Sequence, residues 1–242
     1  MSDHLELPGG VSTSILRVYD WEAADGEHGG SPHFHTVSRE GYVVIGGAGR
    51  VQTLTAEGPR ETPLEKGRVV AFDPGTIHRL VNDGGLEIVT LMQNAGLPES
   101  GDAVFTFPLD ILASIDDYRA AAALPEDPDL RGPAARARRD LALAGFAELR
   151  GRAEEIGARA ALAPYYERAA AIVADRIDGW RETWRRGPLT QAERTGAQLD
   201  ALARTDGSHL FDASVGDASA RPDEAWGMCG RLTVFPDLLP RG

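Results

Sequence analysis

From Val11 to about Phe107, apolar residues come in short bursts, often alternating with polar ones, and glycine-rich breaks separate the bursts. This pattern predicts antiparallel strands joined by tight turns, the texture of a compact all-β barrel or sandwich. SILRVYD, GYVVIGG, GRVQTLTA, GRVVAFDP and GLEIVTLMQ are the clearest strands. Each is rich in Val, Ile, Leu or Tyr, which suit a pleated, half-buried surface. The breaks fall at GGAG, AEGPRE, LEKG and NDGG, where glycine allows the positive φ of a turn.

After Pro108 the texture changes to Ala, Leu, Arg and Glu, the residues with the best helix propensity. PLDILASIDDYRAAAAL predicts a first helix, and the proline-bearing LPEDPDLRGP a connector that helices do not cross. A further helix is expected from Ala134 toward Ala163, stopping or kinking at Pro164. Tyr166, Ala169, Ala170, Val173, Ile177, Trp180 and Trp184 then recur at the spacing of one helix face. That face is expected to pack on the barrel or on a second subunit, with a substrate lid as the lesser reading. Gly187 and Pro188 should end this helix, TQAERTGAQLDALART should form one more, and the terminus should be loop-rich. Two regions are therefore expected, a β-barrel over 1–107 and a helical extension over 108–242.

Composition removes several function classes. Hydrophobic residues make up 42% of the 242 and charged residues 26%, ordinary values that exclude wholesale disorder. A formal charge of -12 repels phosphate backbones and anionic lipid, so neither nucleic acid nor a membrane is an expected partner. The basic run RGPAARARRD lacks interleaved aromatics and reads as a solvated helix start. The opening MSDHLELPGG has neither a basic leader nor an apolar run, and no stretch approaches the ~20 apolar residues of a membrane helix, which points to the cytoplasm. One cysteine, Cys229, excludes an intramolecular disulfide and a thiolate cluster, leaving nitrogen and oxygen as metal ligands. Lys66 is the single lysine and so the one candidate for Schiff-base chemistry. There is no Walker loop and no nucleophile elbow.

Candidate chemistry concentrates in SPHFHTVSREGYVVIGGAG and GRVVAFDPGTIHRLVN. His33 and His35 are two apart, so on an extended strand both imidazoles point to one face. Glu40 follows the turn-like TVSR, where a carboxylate can close a third side, and the turn DPGTI can deliver His78 inward from the next hairpin. Three imidazoles and one carboxylate suit a single Fe(II), Mn, Ni, Co, Cu or Zn ion. His4, His28 and His209 lack partners of comparable spacing and read as surface residues, with His28 a reserve on the loop entering the site.

The two stretches resemble the paired motifs of the cupin superfamily, approximately His-x-His, three or four residues, Glu, six residues, Gly, and later Pro-x-Gly-x-x-His-x-x-x-Asn. His33, His35, Glu40 and Gly47 match the first motif, and Gly75, His78 and Asn82 most of the second. The proline departs from the pattern, standing at Pro74 where the motif has it at the position of Asp73. The resemblance spans roughly Val11 to Phe107 and implies a mainly β fold, an antiparallel cupin jelly-roll barrel with a metal inside its mouth and a helical extension behind it. It also implies a homodimer paired through its sheets.

Such a site leaves up to two positions open on a six-coordinate ion, room for a small oxygen-chelating substrate beside dioxygen. The leading expectation is a dioxygenase-like cupin with Fe(II) favoured and Glu40 doubling as a base, as cupin oxygenases suggest by resemblance. A redox-neutral isomerase, cyclase or epimerase, and a non-enzymatic sensor of a small molecule, are the other readings. Tyr42, Arg50, Gln52, Phe72 and Gln93 are the candidate pocket walls.

Overall fold

The computed structural model describes residues 5–238. Its strands are β1 (Val11–Val18), β2 (His33–His35), β3 (Glu40–Thr55), β4 (Gly58–Glu65), β5 (Val69–Phe72), β6 (Ile77–Gln93), β7 (Ala103–Phe105), β8 (Ala225–Trp226) and β9 (Gly230–Val234). All pair antiparallel, in the order β4-β3-β6-β1-β9-β8, with β5 on β3, β2 on β6 and β7 on β2. The breaks expected at GGAG and NDGG do not end strands. They face one another inside β3 and β6, where register shifts between Val44 and Gly49 turn both long strands around a corner. The first half of β3 pairs with β5 and the second half with β4, so the sheet wraps onto itself.

Two apolar cores result. Inside the wrapped sheet lie Leu16, Val44, Val51, Leu80 and Ile88. Behind it Phe34, Val104, Phe105 and Phe107 pack against helical Ala142, Phe146, Leu162, Tyr165 and Ile172. Each large side chain so buried contributes about 1.5–3 kcal/mol, which is why the helical region stays attached to the barrel.

The helices are α1 (Leu109–Leu112), α2 (Ile115–Ala122), α3 (Pro128–Ile156), α4 (Ala158–Val173), α5 (Ile177–Trp184) and α6 (Thr190–Ala203). None is long and apolar enough to cross a membrane among the described residues. Several boundaries differ from the sequence expectation. The first helix splits into α1 and α2 because Ser114 adopts an extended backbone and caps α2 through the Asp117 amide. The proline-bearing connector is shorter than expected, since α3 starts at Pro128 with an Asp127 cap and takes Pro133 inside. The break expected at Pro164 falls instead at Gly157, whose φ of 86° is strained for any side chain. Pro164 sits within α4, where burial of Leu162 and Tyr165 outweighs one forfeited ladder bond.

Of the expected face, Ala169 and Val173 are buried and Tyr166 and Ile177 pack partly against the same core, whereas Ala170 is exposed and the buried face widens to take in Ala161, Leu162, Tyr165 and Ile172. Trp180 is buried as expected, but Trp184 is 40% exposed. Gly187 and Pro188 do not end the helix, which passes through one π turn into α6. Within the expected helical stretch, one segment is strand. β9 pairs with β1 along Ser14 to Val18, so residues 225–234 return to the barrel where a loop-rich terminus is expected.

Two contacts fix the helices to the barrel. Arg139 of α3 is fully buried and donates to the carbonyls of Trp21 (2.7 Å), Glu22 (2.9 Å) and Gly29 (3.3 Å). Gly145 lets α3 approach the chain after β7 so closely that a Cβ would meet the Thr106 carbonyl oxygen at 2.2 Å. Gly145→Ala is therefore expected to destabilise the fold by about 1–3 kcal/mol through overpacking, despite alanine's better helix propensity. Urea unfolding checks this; an unchanged or higher midpoint would contradict the close approach.

Candidate metal centre

The three residues of β2 alternate as an extended strand must. Phe34 enters the core behind the sheet while His33 and His35 turn to the other face. β2 lies between β6 and β7, and its His33 sits directly opposite His78 of β6. Glu40 opens β3 on the same inward parity as Tyr42 and Val44. One donor atom from each of His33, His35, Glu40 and His78 converges, all within 4.8 Å of one another, and all four residues are buried. The four residues expected from the sequence are thus brought together.

The shifted proline does not disturb this arrangement. Pro74 and Gly75 occupy the centre of a turn closed by the Thr76 amide on the Asp73 carbonyl (3.1 Å), with glycine at φ 86°. The Gly75 amide donates to the His35 carbonyl (2.8 Å), and the Tyr166 hydroxyl of α4 donates to the Gly75 carbonyl (2.7 Å). Both the ligand strand and a helix therefore hold the turn that delivers His78.

Each imidazole is oriented by its Nδ1. His33 meets the Ser31 carbonyl at 3.0 Å, His78 the Thr76 carbonyl at 3.0 Å, and His35 the Asp102 carboxylate at 2.5 Å. An Nδ1–H donating outward leaves the Nε2 lone pair free to point inward, the tautomer a metal ligand needs. Glu40 Oε2 lies 3.0 Å from His78 Nε2 and 3.4 Å from His35 Nε2. Glu40 Oε2 and His78 Nε2 are nonetheless buried without hydrogen-bond partners. Orphaned inward donors of this kind are costly unless something else satisfies them, and a divalent cation fits the set of three nitrogens and one oxygen.

The carboxylates around His35 draw a proton to it, which a bound cation would displace. Burial pushes the Glu40 carboxyl up, but His78 and His35 outweigh it and hold the group well below the usual range. Burial alone would drive a proton off His35, yet Glu40 and Asp102 overcome it and push its pKa up to about 10. Burial, and then His78, hold His33 well below the ordinary imidazole value. Two carboxylates thus draw positive charge to this point.

Sequence reasoning misses Asp102, which is fully buried. Its second oxygen accepts from the Ser38 amide (3.0 Å), so it braces both His35 and the turn before Glu40. No local spacing marks it, 67 residues from its partner. Asp102→Ala is expected to weaken metal affinity by about 10- to 100-fold, measured by chelator competition, without changing the metal-to-protein ratio at saturation.

A cavity of about 300 Å³ opens above the cluster, with Glu40 and Tyr42 at its floor and Leu16, Thr90 and Met92 on one wall. Residues 226–229 and β9 form another wall, also unforeseen. Cys229 is there as a buried free thiol 3.7 Å from His33 Nδ1, and burial pushes its pKa far up, which keeps it neutral. Of the candidate walls, Tyr42 lines the cavity, whereas Phe72 supports it from behind, stacked on His78 at 4.9 Å. Arg50 and Gln52 do not line it. They share even parity with Glu40, but the bulges between Val44 and Gly49 reverse the phase, so Gly49 and Val51 point in and Arg50 pairs with Glu27, Glu61 and Asp83 outside. Gln93 has the outward parity of β6 and is exposed. The His28 ring bonds the Asp20 carbonyl and does not join the cluster, nor does His209; His4 lies outside the described residues.

A family model described as "Cupin domain" matches residues 19–92. No curated protein matches. Solved structures do, over part of the chain. An uncharacterized conserved protein with a double-stranded beta-helix domain from Klebsiella pneumoniae is 17% identical over 37% of this chain and 71% of its own, with a TM-score of 0.30. The capsular polysaccharide assembling protein CapF of Staphylococcus aureus is 22% identical over 42% and 29%, with a TM-score of 0.32. Oxalate decarboxylase of Bacillus subtilis is 17% identical over 35% and 21%, with a TM-score of 0.30. This chain therefore spans less than a third of those last two proteins. All four converging residues fall inside 19–92, and that segment of the chain is a cupin domain.

Proposed function

We propose that this chain is a mononuclear metal enzyme of the oxygenase type, holding Fe(II) on His33, His35, Glu40 and His78 and acting on a small organic substrate that offers two oxygens. The observation that carries the reading is the convergence of four buried donors, three of which, His33, His35 and Glu40, line a cavity of about 300 Å³. A bound ion there would supply Lewis acidity and a redox couple to a substrate and dioxygen. The chain's own contribution is geometric and electrostatic. Outward bonds from each Nδ1 fix the imidazoles, and Leu16, Met92, Leu232 and Val234 keep bulk water from the floor. A Glu40 oxygen not engaged by the ion would accept a proton from an enol or phenol entering the cavity that Glu40 lines.

Oxygen uptake tests this. Protein loaded anaerobically with Fe(II) is mixed with catechols, 2-hydroxyketones and 1,3-diketones and then exposed to oxygen. Consumption above the zinc-loaded control is expected for at least one class. Conversion by the zinc form in strict absence of oxygen would favour an isomerase, cyclase or epimerase instead, and no uptake with any class would remove the oxygenase reading.

A further inference from the structure

Beyond the four converging residues, two charged side chains line the cavity, and they are not equivalent. Glu99 is committed, accepting from the Ser12 hydroxyl at 2.5 Å with one oxygen and from the Gly96 amide at 2.7 Å with the other. Arg138, reaching in from α3, is not. Among the described residues its hydrogen bonds go to two main-chain carbonyls, Ala122 at 2.8 Å and Gly227 at 3.2 Å, and its Nε is buried with no partner. A guanidinium has five N–H donors, so several remain unused, and its charge meets no carboxylate. The group is not free to swing away. Its Cζ sits 4.9 Å over the ring of Phe105, and Phe105 pairs in register with His33. A guanidinium with spare donors, fixed beside the strand that carries a metal-site histidine, is a cationic post in a largely apolar chamber.

We propose that Arg138 is a specificity-determining residue, anchoring a carboxylate on the oxygen-chelating substrate while the substrate's other oxygens face the metal site. This deepens the oxygenase reading and rests on it for the chelating end alone. A monoanion fits better than a phosphate. One guanidinium flanked by two carbonyl oxygens, with Glu99 on the same cavity, has no second arginine or lysine beside it for a dianion. Arg138 also explains why the helical region contributes to the site, since the cupin segment itself, 19–92, brings no arginine or lysine to this cavity.

Binding of 3,4-dihydroxybenzoate, its methyl ester and catechol to the metal-loaded chain tests this, by calorimetry and by quenching of Trp226 at the cavity wall. The acid is expected to bind about 10- to 100-fold tighter than the ester or catechol. Arg138→Gln should erase that preference while catechol affinity and metal content stay near wild type, and Arg138→Lys should keep part of it. Equal affinity of acid and ester in the wild type overturns the proposal, as does a preference that survives Arg138→Gln. If Arg138→Gln does not fold, the wild-type comparison of acid with ester still decides. Benzoate and methyl benzoate, titrated into protein stripped of metal, separate the two readings: an Arg138-dependent preference for benzoate there upholds the anchor even if no metal is ever retained. Equal binding of benzoate and methyl benzoate by the wild-type chain, with metal still retained by the untreated protein, refutes the anchor alone.

Discussion

Replacing His78 with alanine is expected to lower metal affinity by more than about 100-fold, since loss of an outer partner alone costs 10- to 100-fold in such sites. His78 is 1% exposed, held by the Thr76 carbonyl and by the Phe72 ring, so its Nε2 is fixed where the other three donors converge. Elemental analysis of protein purified without chelators should give close to one ion per wild-type chain and almost none for His78→Ala. Thermal unfolding gives a second reading. An ion at 1,000 times its Kd stabilises the folded chain by about 4 kcal/mol, so added metal should raise the wild-type Tm and leave that of His78→Ala in place. His28→Ala should behave as wild type, because the His28 ring bonds the Asp20 carbonyl outside the cluster. Full metal retention in His78→Ala would mean that the four donors do not act as one site.

Replacing Arg139 with leucine is expected to cost about 3–5 kcal/mol of folding stability, the range for breaking a buried charged network. The helix would lose three charge-assisted bonds, and the carbonyls of Trp21, Glu22 and Gly29 would lose a partner. Arg139→Lys should recover only part, because an ammonium cannot spread its donors over three carbonyls as a planar fork does. Urea unfolding with an unchanged slope measures it. The effect should reach the metal centre. The clamped loop runs into Ser31, whose carbonyl orients His33, so metal affinity should fall in the leucine variant as well. A loss below about 1 kcal/mol would show that α3 is held by its apolar face alone.

The four converging residues were legible because their signals are local. Two histidines separated by one residue must share a strand face, and a proline-glycine turn fixes where the next histidine enters. Asp102, Arg138 and the wall around Trp226 were not legible, because each reaches the site only through tertiary packing: Asp102 from the turn before β7, Arg138 from a helix, Trp226 from β8. The β texture before Pro108 was readable from alternation, yet the phase of Arg50 and Gln52 was not. Bulges reverse parity without any residue type that announces them. In the helical half, propensity identified helices but placed the break at Pro164, whereas a glycine with positive φ seven residues earlier makes it.

β9 supplies the partner for one edge of β1 over Ser14 to Val18, and it lies more than two hundred residues downstream of it. A ribosome that has made the first hundred residues has therefore released a sheet with a bare hydrogen-bonding edge and a cavity missing one side. Such edges invite pairing with other nascent chains, and contacts between distant segments form slowly because loop closure comes first. For this protein the vulnerable interval lasts until the stretch around Gly230 has been synthesised, because Leu232 and Val234 complete the wall of the chamber.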